Sequence, residues 1–253
     1  MTKMLFAVIA FVLTAAGMAV VANAADVKLF SPAALRPAMS ELIPAFEQSS
    51  AHKVTIAYGT AGALADRIQK GEAADIAILT GSQIENFVKN GTVAAGSQIN
   101  VGKIGIGVAV SKGTEKPDIS SVDAFKRSML MAKSIAYLDP ATGGPAGVYL
   151  ASLFERLGVA AEIKPKTKLT RGPAQDAVIR GEAEIAITQI TELIAEPKVD
   201  LVGPLPATIQ NFTQFAVGRV TASKEVDAGT ALIRFLTSPP VSQILKAKGI
   251  EPG

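Results

Sequence analysis

Short apolar runs alternate along this chain with stretches whose apolar residues recur every three or four positions. Val27–Ser31 (VKLFS), Lys53–Gly59 (KVTIAYG) and Asp75–Leu79 (DIAIL) read as strands. Between the first two, Leu35, Met39, Leu42, Ile43 and Phe46 fall on one helical face. Gly62–Gly71 and Ser82–Gly91 read as helices that stop at glycine. This β-α-β-α-β-α order predicts a mainly parallel sheet with helices on both faces. Gly102–Gly113 (GKIGIGVAVSKG) reads as one long strand passing into a second such unit. There a helix opens at Ser120 or Ser121 with Asp123 in its first turn, followed by a strand at Ser134–Asp139 and a helix at Pro145–Gly158. A helix at Ala174–Gly181, a strand at Glu184–Thr188 and a short helix at Ile190–Glu196 complete that unit. Ile209–Ser223 is another strand pattern, able to carry the chain back, and two closing helices are separated at Pro239-Pro240.

One phrase is written twice. Lys70–Leu79 is KGEAADIAIL and Arg180–Thr188 is RGEAEIAIT. Each copy joins a helix, a glycine stop and a strand buried on both faces, with an acid (Asp75, Glu184) where the chain enters the sheet. Two copies fit two similar α/β lobes, although helix–glycine–strand joints also converge for generic reasons. Crossings near Gly102–Gly107 and Thr208–Phe215 would form a hinge, with a ligand site in the cleft between lobes. The expected division is a leader at 1–24, lobe I at 25–104 with 209–253, and lobe II at 105–208.

The leader follows from Lys3, the apolar run Met4–Leu13 and the small-x-small triplet Ala22-Asn23-Ala24, the pattern of a cleaved secretory signal. The 253 residues contain no Cys, so an exported chain of this kind rests on its core alone, which suits a bacterial periplasm. The formal net charge is only +3 and no long run of like charges occurs, so nucleic acid is not an expected partner.

The chemistry is narrowed mostly by what the chain lacks. His52 is the sole histidine, read as a surface residue, which excludes a His-dependent triad and leaves no zinc set. No nucleophile elbow, phosphate-binding loop or calcium loop is present. The candidates are instead three loops where a strand meets a helix start: Phe30–Ala38 (FSPAALRPA), Tyr58–Asp66 (YGTAGALAD) and Asp139–Tyr149 (DPATGGPAGVY). Small residues there let a ligand approach the backbone, and free N–H groups at a helix start favour an anion. Arg171 and Arg36 are the cations nearest these loops, and Arg171 could grip a carboxylate bidentately. Gln189 ends the second echo strand, where a polar group could point into the cleft.

These loops carry a resemblance. FSPAAL, YGTAGALADRI, GEAADIAIL, GEAEIAITQ and the closing ALIRFLTSPPVSQILKAKGIEP are similar to the corresponding stretches of the molybdate-binding proteins of bacterial ABC importers, across essentially the whole chain after the leader. The resemblance implies the two-lobed type II periplasmic binding fold, hinge closure on a small anionic solute, no cofactor, no metal and no catalysis. It also implies a monomer that docks on a membrane permease. The loops and the resemblance together give the candidate site residues Ser31, Ala33, Ala34, Thr60, Ala61, Gly62, Thr142, Gly143, Gly144, Arg171 and Gln189. The family's ligand Ser and Tyr positions fall here on Ala34, Ala61 and Gln189, with Ser31 and Thr60 close by as partial substitutes. Loss of those hydroxyls would leave a desolvated oxyanion underbonded by about 1–3 kcal/mol per donor, which favours an organic acid over molybdate. Two competing readings are a carboxylate-binding receptor or adhesin and a two-lobed transferase of the porphobilinogen deaminase type.

Overall fold

The computed structural model describes residues 24–253, so the expected leader, apart from its last residue, lies outside the described residues. Among the described residues ten strands form two five-stranded sheets. The first contains β1 (Asp26–Pro32), β2 (Lys53–Gly59), β3 (Ile76–Thr80), β4 (Ile99–Ile104) and, returning late in the chain, β10 (Thr213–Arg219), in the order β2-β1-β3-β10-β4. The second contains β5 (Ile106–Ser111), β6 (Ile135–Leu138), β7 (Thr167–Thr170), β8 (Ile185–Gln189) and β9 (Val199–Pro204), in the order β7-β6-β8-β5-β9. Each sheet is mixed. The β-α alternation supplies parallel pairs, β1 with β2 and β3, and β6 with β7 and β8. The strands next to the crossings run antiparallel, β10 against β3 and β4, and β5 against β8 and β9.

Alternate strand residues enter cores on opposite faces, as a pleated strand requires. Leu29, Ile76 and Ile78 pack under α1 (Arg36–Ser50), α9 (Val226–Leu236) and α10 (Pro239–Ala247). Phe30, Ala77 and Leu79 pack under α2 (Ala61–Gln69) and α3 (Gly81–Lys89). In the second sheet Val108, Val110, Ile185 and Ile187 meet α4 (Val122–Met131), α5 (Pro145–Arg156) and α6 (Ala160–Ile163). Ala109 and Ala186 meet α7 (Gln175–Ile179) and α8 (Ile190–Ile194) on the other face.

The repeated phrase has a common structural purpose. Gly71 and Gly181 end the preceding helices with φ of 84° and 70°. The acid that follows then reaches sideways to its neighbouring strand. Asp75 accepts from the Lys28 N–H at 2.8 Å and from the Ser223 hydroxyl at 2.6 Å. Glu184 accepts from the Lys133 N–H at 2.7 Å, just ahead of β6. Both carboxylates fasten the start of the strand beside their own.

The long strand expected at Gly102–Gly113 is two strands of different sheets, divided at Gly105. The Gln210 side chain stands in for a strand partner there. Its Oε1 accepts from the Ile106 N–H and its Nε2 donates to the Ile106 carbonyl, both at 2.9 Å. The outward crossing is thus pinned to the segment that carries the chain back.

Candidate functional site

A cavity of about 410 Å³ lies between the two sheets, within the usual range for small-molecule sites. Its walls are the three strand-to-helix loops together with the loop around Arg171 and the end of β8. The starts of α1, α2 and α5 open onto it, because the strands before them end at the cleft and small residues let each chain turn at once into a helix. Gly144 caps α5 without a side chain, and a Cβ there would stand 2.1 Å from Leu138 Cδ2.

The predicted site residues divide into three groups. Ala33, Ala34, Thr60, Ala61, Gly144, Arg171 and Gln189 all line the cavity. Gly62, Thr142 and Gly143 stand instead at a rim where the lobes touch. The Thr60 hydroxyl donates to the Thr142 carbonyl, and the Gly62 N–H donates to the Gly143 carbonyl at 3.2 Å. A Cβ on Gly62 would fall 2.7 Å from Gly143 Cα, so neither side of that contact tolerates a side chain. Ser31 forms the third group; it is fully buried behind the wall with its Oγ 3.4 Å from the Pro32 carbonyl.

The expectation that Ser31 and Thr60 replace the missing hydroxyl donors is therefore corrected. Ser31 does not reach the cavity. The single Thr60 proton goes to Thr142, while the Thr60 oxygen accepts from the Ala63 N–H at 3.1 Å as the cap of α2.

The electrostatics come from side chains on both lobes. Arg36, at the first turn of α1, stacks on Tyr58 with its Cζ 4.0 Å from the ring centroid, which explains a cation where the helix dipole disfavours one. Arg171 faces the same cavity from the loop after β7. Among the described residues neither arginine makes an ion pair. Two amide oxygens are also unpartnered there: Gln189 Oε1, whose Nε2 donates to the Thr213 hydroxyl at 3.0 Å, and Gln175 Oε1. Both side chains are buried and on the wall, and each oxygen asks for a donor.

A family model described as bacterial extracellular solute-binding protein matches residues 27–251. The chain belongs to that family. This solute-binding protein is 34% identical over 219 residues to an aconitate isomerase from Pseudomonas sp, covering 84% of this chain and 82% of that one. It is 25% identical over 245 residues to the molybdate-binding protein of Azotobacter vinelandii, covering 92% of each. The solved structure of the Azotobacter vinelandii periplasmic molybdate-binding protein superposes with a TM-score of 0.77 at 16% identity, over 90% of this chain and 99% of that one. Two α/β lobes of the type II periplasmic binding fold are thus shared with that protein.

Two groups in the cleft of this solute-binding protein are absent from the predicted site residues. Tyr58 opens the candidate loop Tyr58–Asp66 without being named as a site residue, yet its ring lies on the cavity wall under Arg36. Glu192 was read as one charge on a short helix. It lines the cavity, accepts from the Thr188 hydroxyl at 2.7 Å, and its carboxyl is pushed up from its usual value chiefly by burial. Asp176 adds to that rise, while the Thr188 bond and the charge of Arg36 oppose it. Burial likewise raises the Tyr58 phenol, against the pull of Arg36. No local pattern marks Glu192; only the packing of α8 under the cleft encloses it.

Proposed function

We propose that this protein carries a small organic polycarboxylate in its interlobe cleft, in the periplasm, and delivers it as a monomer to the membrane permease of an ABC importer. On this reading the lobes are residues 25–104 with 209–253 and residues 105–208, and residues 1–24 are removed on export. The observation that carries the reading is the pair of guanidinium groups, Arg36 and Arg171, that face one cavity from opposite lobes without carboxylate partners among the described residues. An acid with carboxylates at both ends answers both cations, and Arg–carboxylate pairing is strong when bidentate. The unpartnered oxygens of Gln175 and Gln189 favour a ligand that also donates, through a hydroxyl or a protonated carboxyl. Ala34 and Ala61 offer methyl groups where a bare tetrahedral oxyanion would need donors.

Titration calorimetry against citrate, cis-aconitate, trans-aconitate, molybdate and sulfate tests this. Micromolar or tighter binding of a tricarboxylate, weakened about tenfold or more in Arg171→Ala, is the expected result. Micromolar molybdate binding with no tricarboxylate heat overturns it.

A second reading is favoured by the relative named as an aconitate isomerase and by the acid Glu192 in the cleft. The same site would then hold an unsaturated tricarboxylate and also shift its double bond. Turnover of either aconitate isomer by the purified protein separates this reading from binding alone.

A further inference from the structure

Two acidic side chains stand on the cavity wall, and they are held differently. Glu196 Oε1 accepts from the Lys198 N–H at 3.0 Å, which ties that carboxylate to its own turn. Glu192 is held only at Oε2, by the Thr188 hydroxyl at 2.7 Å, and its Oε1 has no hydrogen-bond partner among the described residues. Thr188 lies near the end of β8, just ahead of α8, and its neutral hydroxyl fixes the carboxyl without neutralising it. The charged groups around it are Asp176 from α7 and Arg36 from α1 across the cleft, with Arg171 on the same wall.

We propose that Glu192 is the proton carrier of a carbon-acid isomerisation in this cleft, moving a hydrogen between the two ends of a three-carbon allylic unit in an unsaturated polycarboxylate. This rests on the second reading above. The Glu192 carboxylate removes a proton from a CH₂ that lies between a carboxylate and a carbon–carbon double bond. The electron pair of that C–H bond becomes the new double bond. The pair of the old double bond takes the proton back from the Glu192 carboxylic acid at the far carbon. One C–H bond breaks, one forms, nothing is oxidised or reduced, and Glu192 returns to its starting state.

Each part of the wall has a place in that step. Charge that develops on the substrate spreads into the flanking carboxylate, where a guanidinium stabilises it. Burial of Glu192 disfavours its ionised form, which makes it a stronger base than a carboxylate in water and keeps the proton it has taken from escaping. The two ends of an allylic unit lie within reach of one carboxyl, so a single residue suffices for removal and return.

The test follows cis- and trans-aconitate by proton NMR with the full chain, in wild type, Glu192→Gln, Glu192→Asp and Glu196→Gln, with calorimetric affinity measured on each. Wild type is expected to interconvert the isomers, with kcat/KM rising with pH as Glu192 ionises and a midpoint above the ordinary carboxylate range. Glu192→Gln is expected to lose at least about 100-fold in kcat, the usual scale for a general acid–base group, while its affinity stays within about fivefold. Glu192→Asp, which keeps the carboxyl but shortens its reach, is expected to keep part of the rate. Binding of both isomers by wild type without interconversion overturns the proposal and leaves the polycarboxylate reading standing. Interconversion by Glu192→Gln at the wild-type rate, or loss in Glu196→Gln alone, also overturns it. Failure of wild type to bind either isomer removes both.

Discussion

Glu192 shows what a residue's chemistry owes to its surroundings. In sequence it is one acid among 22, on a five-residue helix. In the fold it is half-buried on the cavity wall, and that burial favours its protonated form. An acid whose folded value is raised adds stability below the ordinary carboxyl value of 4.5 and loses that contribution as pH climbs through the higher folded value. Urea denaturation of the free protein should therefore show wild type falling behind Glu192→Gln as pH rises from about 4.5 towards 8. A constant gap between the two across that range would mean that the carboxyl keeps its usual ionisation. Arg171 was legible before the fold was known, because a lone cation beside glycine and proline at a helix start is a local pattern. Glu192 was not, because its environment is made by other elements, α1 from the first lobe and α7 from the second, that only the fold brings to it.

Elements were most legible where a single apolar run is covered on both sides. β1, β3 and β8 were read within a residue or two of their observed ends, β3 and β8 because Ile, Ala and Leu run nearly unbroken there and β1 because Val27, Leu29 and Phe30 mark an apolar stretch. β7 and β9 were missed. Both are edge strands of the second sheet, and TKLT and VDLVGP are too polar or too interrupted to signal one. The crossing strand was read as continuous because Gly105 looks like its glycine neighbours, whereas the separation of β4 from β5 depends on Gln210, a hundred residues downstream. The repeated acids give a prediction at this scale. Asp75 is partly buried and satisfies two donors, while Glu184 is exposed. Asp75→Ala should cost about 1–3 kcal/mol of unfolding free energy, whereas Glu184→Ala should cost distinctly less. Equal losses in thermal or urea unfolding would show that burial does not separate the two copies.

At the scale of the whole molecule, the lobes meet through backbone as much as through side chains. The Gly62–Gly143 contact at the rim and the Thr191 hydroxyl bonded to the Ala34 carbonyl at 2.7 Å hold them together over the cleft. Gly62→Ala should wedge the rim, because its methyl would overlap the Gly143 backbone. The expected result is a larger radius of gyration in solution scattering and affinity lower by about tenfold, or ~1.4 kcal/mol, with the melting temperature little changed. Unchanged affinity would mean that the lobes can close around an added methyl group. The two-lobed plan was legible from the double β-α alternation and the repeated phrase, whereas the rim was not, since Gly62 and Gly143 read singly as ligand contacts. That rim also has a practical side. Ala141 is exposed beside it, and the chain has no thiol of its own. A cysteine introduced at Ala141 would take one dye molecule at one known place, and the dye's brightness would report each capture of a molecule as an optical signal.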